Sequence, residues 1–109
     1  MPIQDRMQYL IIVRSKNGAE YLAERSISDM DRATTVLDIS EGQYEYMSVL
    51  QVIEFNPAEH TSRDVTEDIA KEVVQIWADS DEPINFDQYE FAEMHAGTRV
   101  ARSFICEVA

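Results

Sequence analysis

Acidic side chains in the second half of the chain offer the first candidate chemistry, which is calcium binding. Asp79 and Asp81 stand at the first and third positions of a twelve-residue span that ends at Glu90, a spacing at which calcium loops place oxygen ligands. A calcium loop also needs glycine at its sixth position, whereas this span has Pro83 fifth and Ile84 sixth. We therefore interpret the span as an acidic loop between helices and expect no calcium site.

Two histidines and one glutamate are the remaining candidates for binding a metal. Glu93 and His95 are two positions apart, so a helix would direct them to different sides. His60 would have to reach them from a distant loop, and zinc usually takes three or four protein ligands. The sequence therefore predicts neither a metal site nor a cofactor.

Signatures of catalysis are missing from the sequence. It has no G-x-S-x-G nucleophile elbow, and its three glycines do not form a phosphate-binding loop. Cys106, the single cysteine, has no activating neighbour in the sequence, so we interpret it as an apolar packing residue. Among 21 acidic residues, no pair stands out as a general acid and base. We predict no catalytic residues and no enzymatic activity. A small enzyme that uses acidic residues is the third-ranked alternative.

Negative charge is distributed unevenly along the 109 residues. The formal net charge is -12, and residues 54–93 alone carry 12 acidic and 2 basic side chains. Binding to nucleic acid or to an anionic membrane depends on lysine and arginine, so the sequence disfavours direct contact with either. A single cysteine, no signal-peptide pattern and no apolar run of membrane-spanning length predict a cytoplasmic protein.

Apolar patterns predict the strands that position these side chains. Residues 8–14 and 47–55 have apolar side chains on both faces, which predicts two strands covered on both sides. An asparagine–glycine pair after the first of them predicts a hairpin turn. The returning strand, over residues 19–27, is polar as expected at a sheet edge, and a helix over residues 19–25 is the alternative.

Two amphipathic helices are predicted around the second buried strand. The first follows a capping-box pattern at Ser28 and ends near Gly42. The second follows a similar pattern in which Thr61 caps a helix that begins at Asp64. Its apolar stripe ends at Trp77, which we expect to lie in the core.

The carboxy-terminal part of the chain continues the helical pattern. Asn85 is a predicted N-cap, and the helix after it carries apolar residues on several sides up to Gly97. Residues 98–108 have a helical period, with a short strand over 103–108 as the alternative. The order β-β-α-β-α-α-α predicts one α+β domain over residues 1–109. In it, a small, mainly antiparallel sheet of about three strands with an amino-terminal β-hairpin packs with three to four helices.

Two sets of side chains are the predicted partner-binding sites. An acidic face along the central helix and the loop after it would bind a protein with a basic surface. Its residues are Glu59, Asp64, Glu67, Asp68, Glu72, Asp79, Asp81 and Glu82. An aromatic patch would bind a partner or a second copy of the chain, because one helix cannot direct all its members into a core. Its residues are Phe86, Tyr89, Phe91 and Met94.

Carboxylates spaced along a helix can imitate the phosphates of a nucleic acid and occupy the basic groove of a protein that binds it. In size and charge the chain resembles the small acidic bacteriophage proteins that inhibit restriction or CRISPR systems. This resemblance implies a non-enzymatic inhibitor with a protein partner. The alternative function is a structural or assembly protein that self-associates, as a homodimer, through its aromatic carboxy-terminal helices. An acidic surface can also serve solubility alone.

Overall fold

The computed structural model describes residues 7–42 and 47–104, which form an antiparallel sheet and a layer of helices. The elements are β1 (Gln8–Arg14), β2 (Glu20–Leu22), α1 (Arg32–Ser40), β3 (Ser48–Asn56), β4 (Thr61–Asp64), α2 (Thr66–Ser80), α3 (Phe86–His95) and α4 (Thr98–Arg102). The strands lie in the order β2-β1-β3-β4. The predicted α+β class is confirmed, and the order matches apart from a fourth strand.

The predicted hairpin joins β1 to β2 through a tight turn at Gly18. The N–H of Gly18 donates to the carbonyl of Ser15 at 2.9 Å, and the N–H of Ser15 donates to the carbonyl of Ala19 at 2.8 Å. Gly18 has a φ of 90°, which suits the left-handed position after a type I turn. The returning strand β2 is only three residues long, and the alternative helix over residues 19–25 is wrong.

A bulge in β3 decides which of its side chains face the helices. The pairing of β1 with β3 skips Leu50, which becomes the extra residue of the bulge. Val49 and Val52 are three positions apart, yet both are buried in the core. In a regular strand, side chains three apart would point to opposite faces.

Among the residues that the structure describes, helices cover one face of the sheet. On that face Tyr9, Ile11 and Val13 of β1 are buried in the same cluster as Ile69 and Val73 of α2. The other face carries apolar side chains that are half-buried or exposed, namely Leu10, Ile12, Leu22, Ile53 and Phe55. Within residues 7–42 and 47–104, the prediction that β1 and β3 are covered on both sides is therefore wrong.

The strand β4 replaces the predicted start of the central helix. Thr61 and Asp64 are the ends of this strand, so the prediction that Thr61 caps a helix beginning at Asp64 is wrong. The side chain of Asn56 accepts hydrogen bonds from two backbone N–H groups in the turn that leads into β4. α2 begins at Thr66, whose N–H donates to the carboxylate of Asp64 at 2.8 Å.

The helices α1 and α3 are each capped at their amino-terminal end by a short polar side chain. α1 begins after Asp31, whose carboxylate accepts from the N–H of Thr34 at 3.0 Å, so the predicted cap at Ser28 is wrong by three residues. Asn85 and Gln88 form a reciprocal capping box at the start of α3, which confirms that predicted cap.

The carboxy-terminal prediction is confirmed only in part. Residues 98–102 form the helix α4, whereas residues 105–108 and Cys106 lie outside the described residues. Among the helices that are described, none has both the length and the apolar character needed to cross a membrane.

Trp77 lies in the core, as predicted, and joins several elements there. Its side chain is 6% exposed, and its indole N–H donates to the carbonyl of Ser40 at the end of α1, at 2.9 Å. Phe91 of α3 packs edge-on against the indole with ring centroids 5.8 Å apart, and Phe104 does so at 6.4 Å. The ends of α1 and α2 therefore meet α3 and the segment after α4 at one side chain.

We expect Trp77→Ala to lower the free energy of unfolding by about 3–5 kcal/mol, because it removes a large buried aromatic side chain. Trp77→Phe is the milder comparison, since it keeps an aromatic ring in the core but loses the indole donor and part of the buried ring volume. Urea denaturation at neutral pH measures both variants. An alanine variant as stable as the wild type would contradict the role of Trp77 in joining the helices.

Candidate functional site

The solvent face of α2 carries a line of carboxylates. The helix buries Ile69, Val73 and Trp77 on one side, and its acidic residues lie on the other. With 3.6 residues per turn, Asp68, Glu72 and Asp79 lie within about 40° of one another around the axis. At a rise of 1.5 Å per residue, the first and last of them are about 16 Å apart along the helix.

Two residues of the predicted acidic face have local structural roles. Glu72 forms an ion pair with Arg32 of α1, and the Arg32 Nε lies 2.7 Å from the carboxylate. Asp64 accepts hydrogen bonds from the N–H of Thr66 and from the side-chain amide of Gln51, each at 2.8 Å. The hydrogen bonds from Thr66 are the main reason why the pKa of Asp64 is lowered.

The other six predicted acidic residues are exposed and make no ion pair within the described part of the chain. They are Glu59, Glu67, Asp68, Asp79, Asp81 and Glu82. Glu59 stands apart from the rest, in the turn between β3 and β4. The acidic surface therefore has one group at the start of α2 and a second group at its end and in the loop after it.

Among the acidic residues of the segment 54–93, Glu54 has a buried carboxylate. Glu54 on β3 is 8% exposed and accepts hydrogen bonds from the hydroxyl of Tyr9 at 2.7 Å and from Arg63 Nε at 2.9 Å. These bonds, that from Arg63 foremost, lower the pKa of Glu54, whereas burial and the bond to Glu54 raise the pKa of Tyr9. This cluster was not predicted from the sequence, although Glu54 is two positions after Val52 and so shares its buried face.

The candidate metal ligands are not brought together. His95 donates a hydrogen bond from Nε2 to the carbonyl of Val49 at 2.6 Å, and Glu93 accepts one from the hydroxyl of Tyr89. His60 is an exposed residue in the turn before β4, with a φ of 56°. No group of three or more His, Cys, Asp or Glu side chains that could hold a metal ion occurs in residues 7–42 and 47–104.

The calcium-like span also forms ordinary structure. Asp79 and Asp81 belong to the carboxy-terminal end of α2, where Asp81 is a left-handed cap residue with a φ of 58°. Ile84, at the position where a calcium loop needs glycine, is 2% exposed and anchors the loop in the core. The loop therefore connects α2 to α3 through an apolar anchor.

The four residues of the predicted aromatic patch do not form one surface, because α3 directs two of them towards the core and two towards solvent. Tyr89 and Phe91 are half-buried and pack against the core, whereas Phe86 and Met94 are 59% and 55% exposed. Phe86 and Met94 share the exposed side of the helix with Glu90, because these three follow one another at intervals of four residues. Asp87 and Glu93 are also exposed. The outer surface of α3 therefore combines large apolar groups with carboxylates.

A small crevice lies beside this surface and extends to the beginning of β3. We call it the α3 crevice; its apolar lining is Ile39, Met47, Val49, Trp77, Phe91 and Met94, and it has a volume of about 50 Å³. Asp87 and Glu90 also line it, and no lysine or arginine does among the residues that the structure describes. It is the place where the described acidic and apolar surfaces meet.

No family model matches the sequence, and neither a curated protein nor a solved structure is significantly similar to it. The function is therefore inferred from the charge, exposure and contacts of the chain's own side chains.

The buried carboxylate of Glu54 should make the stability depend on pH. Because its pKa is lower in the folded than in the unfolded chain, its ionised form contributes stability above about pH 4.5 that is lost as the pH falls through the folded value. We expect Glu54→Gln to destabilise the protein by about 1–3 kcal/mol at pH 7. The difference in unfolding free energy between this variant and the wild type should shrink from about pH 5 to about pH 3, roughly the range over which carboxylates titrate.

Urea denaturation at a series of pH values measures this difference. Glu59→Gln is the control, because it removes an exposed glutamate from the neighbouring turn. A difference between Glu54→Gln and the wild type that stays constant with pH would show that folding does not favour the ionised form of Glu54.

Proposed function

We propose that this protein is a non-enzymatic binding module whose partner is a protein with a basic surface. The observation that carries the proposal is the set of exposed carboxylates that have no cationic partner within the described residues. They occur at the start of α2, in the loop after it and on α3. With a net charge of -12, these groups produce a negative field that steers a basic partner towards the chain.

The finer proposal is that the partner's basic surface is a groove that binds nucleic acid. Asp68, Glu72 and Asp79 present charge along about 16 Å of one helix, so a groove that accepts a line of phosphates can accept them. Glu72 is already paired with Arg32, so its charge is partly compensated. In this proposal, occupation of the groove excludes the nucleic acid, and the protein acts as an inhibitor.

Hydrogen bonds within the fold account for the carboxylates with lowered pKa values, so these shifts do not indicate a catalytic site. Perturbed pKa values often mark catalytic residues, but structural networks perturb them as well. The pKa of Asp31 is lowered chiefly by the backbone N–H of Thr34 at the start of α1, and that of Asp64 by Thr66 at the start of α2. Glu54 compensates Arg63 and Tyr9 within the fold. Each of these carboxylates has a structural use that explains its shift.

The combined variant Glu67→Gln, Asp68→Asn, Glu72→Gln tests the acidic surface. Affinity for a partner captured from the source cells should fall at least tenfold, or about 1.4 kcal/mol, mainly through slower association. Stability should fall only slightly, because the single ion pair that is lost, between Glu72 and Arg32, is exposed. Surface plasmon resonance at 0.1 M and 1 M salt measures both rates, since the screening length falls from about 10 Å to about 3 Å.

A matched control removes the same charge from another part of the surface. Glu20→Gln, Glu24→Gln, Asp29→Asn also changes three exposed acids, one of which forms an exposed ion pair with Arg14. Equal affinity losses in the two variants would contradict a defined acidic site and indicate a general effect of net charge. DNA that fails to compete with the protein for its partner would contradict the nucleic-acid groove.

Self-association is the second candidate function, and the exposure of Phe86 and Met94 favours it. Sedimentation equilibrium should show a weak dimer that strengthens as salt rises, because screening reduces the repulsion between two acidic chains. Phe86→Ser, Met94→Ser should abolish it if α3 forms the contact. Leu22→Ser is the control, because Leu22 is exposed on the open face of the sheet. A monomer at high protein and salt concentrations would contradict self-association.

A further inference from the structure

The α3 crevice contains apolar surface that the fold itself does not use. Met94 is 55% exposed and Met47 is 38% exposed, whereas Trp77 beneath them is buried. Exposed apolar side chains that cluster around a depression mark interaction sites more often than singly scattered ones do. The volume of about 50 Å³ is well below the roughly 300–1,000 Å³ of small-molecule sites. The crevice is therefore suited to the tip of one side chain of a partner.

The chemistry of the lining favours an aromatic side chain. The methionine side chains are flexible, and their sulfur atoms make favourable contacts with aromatic rings. The sulfur of Met47 already accepts a hydrogen bond from the hydroxyl of Tyr21 at 3.4 Å. Phe91 is half-buried and also lines the crevice, so an aromatic ring is already part of its surface.

The charged part of the lining determines what must lie next to that aromatic group. Asp87 and Glu90 line the crevice, and Glu93 is exposed on the same helix. A second copy of the chain would bring these carboxylates against their own equivalents, and like charges in contact are unfavourable. Lysine or arginine beside the aromatic residue would pair with them instead.

We infer that the α3 crevice binds an aromatic side chain of a partner protein that is flanked by lysine or arginine in the partner's own sequence. This inference rests on the proposed function, and it adds the anchor that a basic surface alone lacks. Charge then directs the encounter, while the buried ring provides specificity and slows dissociation.

Three synthetic peptides test the inference on the intact protein. The first has one tryptophan with two lysines on each side in a glycine–serine background. The second replaces the tryptophan by serine, and the third replaces the lysines by glutamates. The readout is NMR of the protein with ¹³C-labelled methionine methyl groups and ¹⁵N-labelled backbone amides, in which the methyl groups of Met47 and Met94 report on the crevice. Met7 and Met30, which do not line it, serve as internal references.

The first peptide should shift the methyl signals of Met47 and Met94 in a saturable way and bind at least tenfold more tightly than the second. Asp87→Asn, Glu90→Gln should weaken its binding by about three- to tenfold, in line with the loss of two charges at an interface rim. Met94→Ser should weaken the first peptide and leave the second unchanged. Met94 is exposed, so this variant should fold, and its thermal unfolding verifies this.

Other outcomes separate failure of the inference from failure of the proposed function. If both lysine peptides shift the backbone amides of Glu67 and Asp68 but not the methyls of Met47 and Met94, the crevice inference is overturned and the basic partner stands. If the glutamate peptide binds the crevice as well as the first peptide, the basic partner is contradicted. Methyl shifts that follow protein concentration without any peptide would assign the crevice to a second copy. The absence of any shift with either lysine peptide contradicts both proposals.

Discussion

The buried indole of Trp77 is the contact on which the helical layer depends. Its N–H donates to the carbonyl of Ser40 at the end of α1, and Phe91 and Phe104 pack against the same ring in T-shaped geometry. A helix end leaves backbone carbonyls without partners, so the indole donor satisfies one that would otherwise be buried alone. Because Trp77 is also the floor of the α3 crevice, the residue that fixes the helices gives the candidate site a rigid base.

The negative charge of the chain has two physical uses that the structure separates. Some carboxylates stabilise the fold: Asp31 and Asp64 accept backbone hydrogen bonds where α1 and α2 begin, and Glu54 receives two side-chain donors. Others, such as Asp68 and Glu90, are exposed and make no ion pair among the described residues. Charge that already has donors within the fold is little available to a partner, so the proposed binding surface is smaller than the acidic composition suggests.

Local signals in the sequence predicted the elements better than their boundaries. The glycine of the hairpin turn and the capping box at Asn85 act over a few residues, so their effects could be predicted from the sequence alone. The strand β4 has no such signal, because its four residues are polar and exposed and are held by pairing and side-chain hydrogen bonds with β3. The bulge at Leu50 likewise results from tertiary pairing. The division of the aromatic patch depended on where α3 packs, which the periodicity of that helix does not indicate.

An apolar crevice on an acidic protein has a physical advantage that neither feature has alone. An exposed patch containing Phe86 and Met94 would normally invite aggregation or unselective binding. Carboxylates at Asp87, Glu90 and Glu93 oppose contact with acidic surfaces, including other copies of the chain, and they still admit a basic one. The same charges therefore repel acidic surfaces and attract basic ones. Such an arrangement gives selectivity to a small surface, because an unsuitable partner must bury its own acidic groups beside carboxylates that it cannot neutralise.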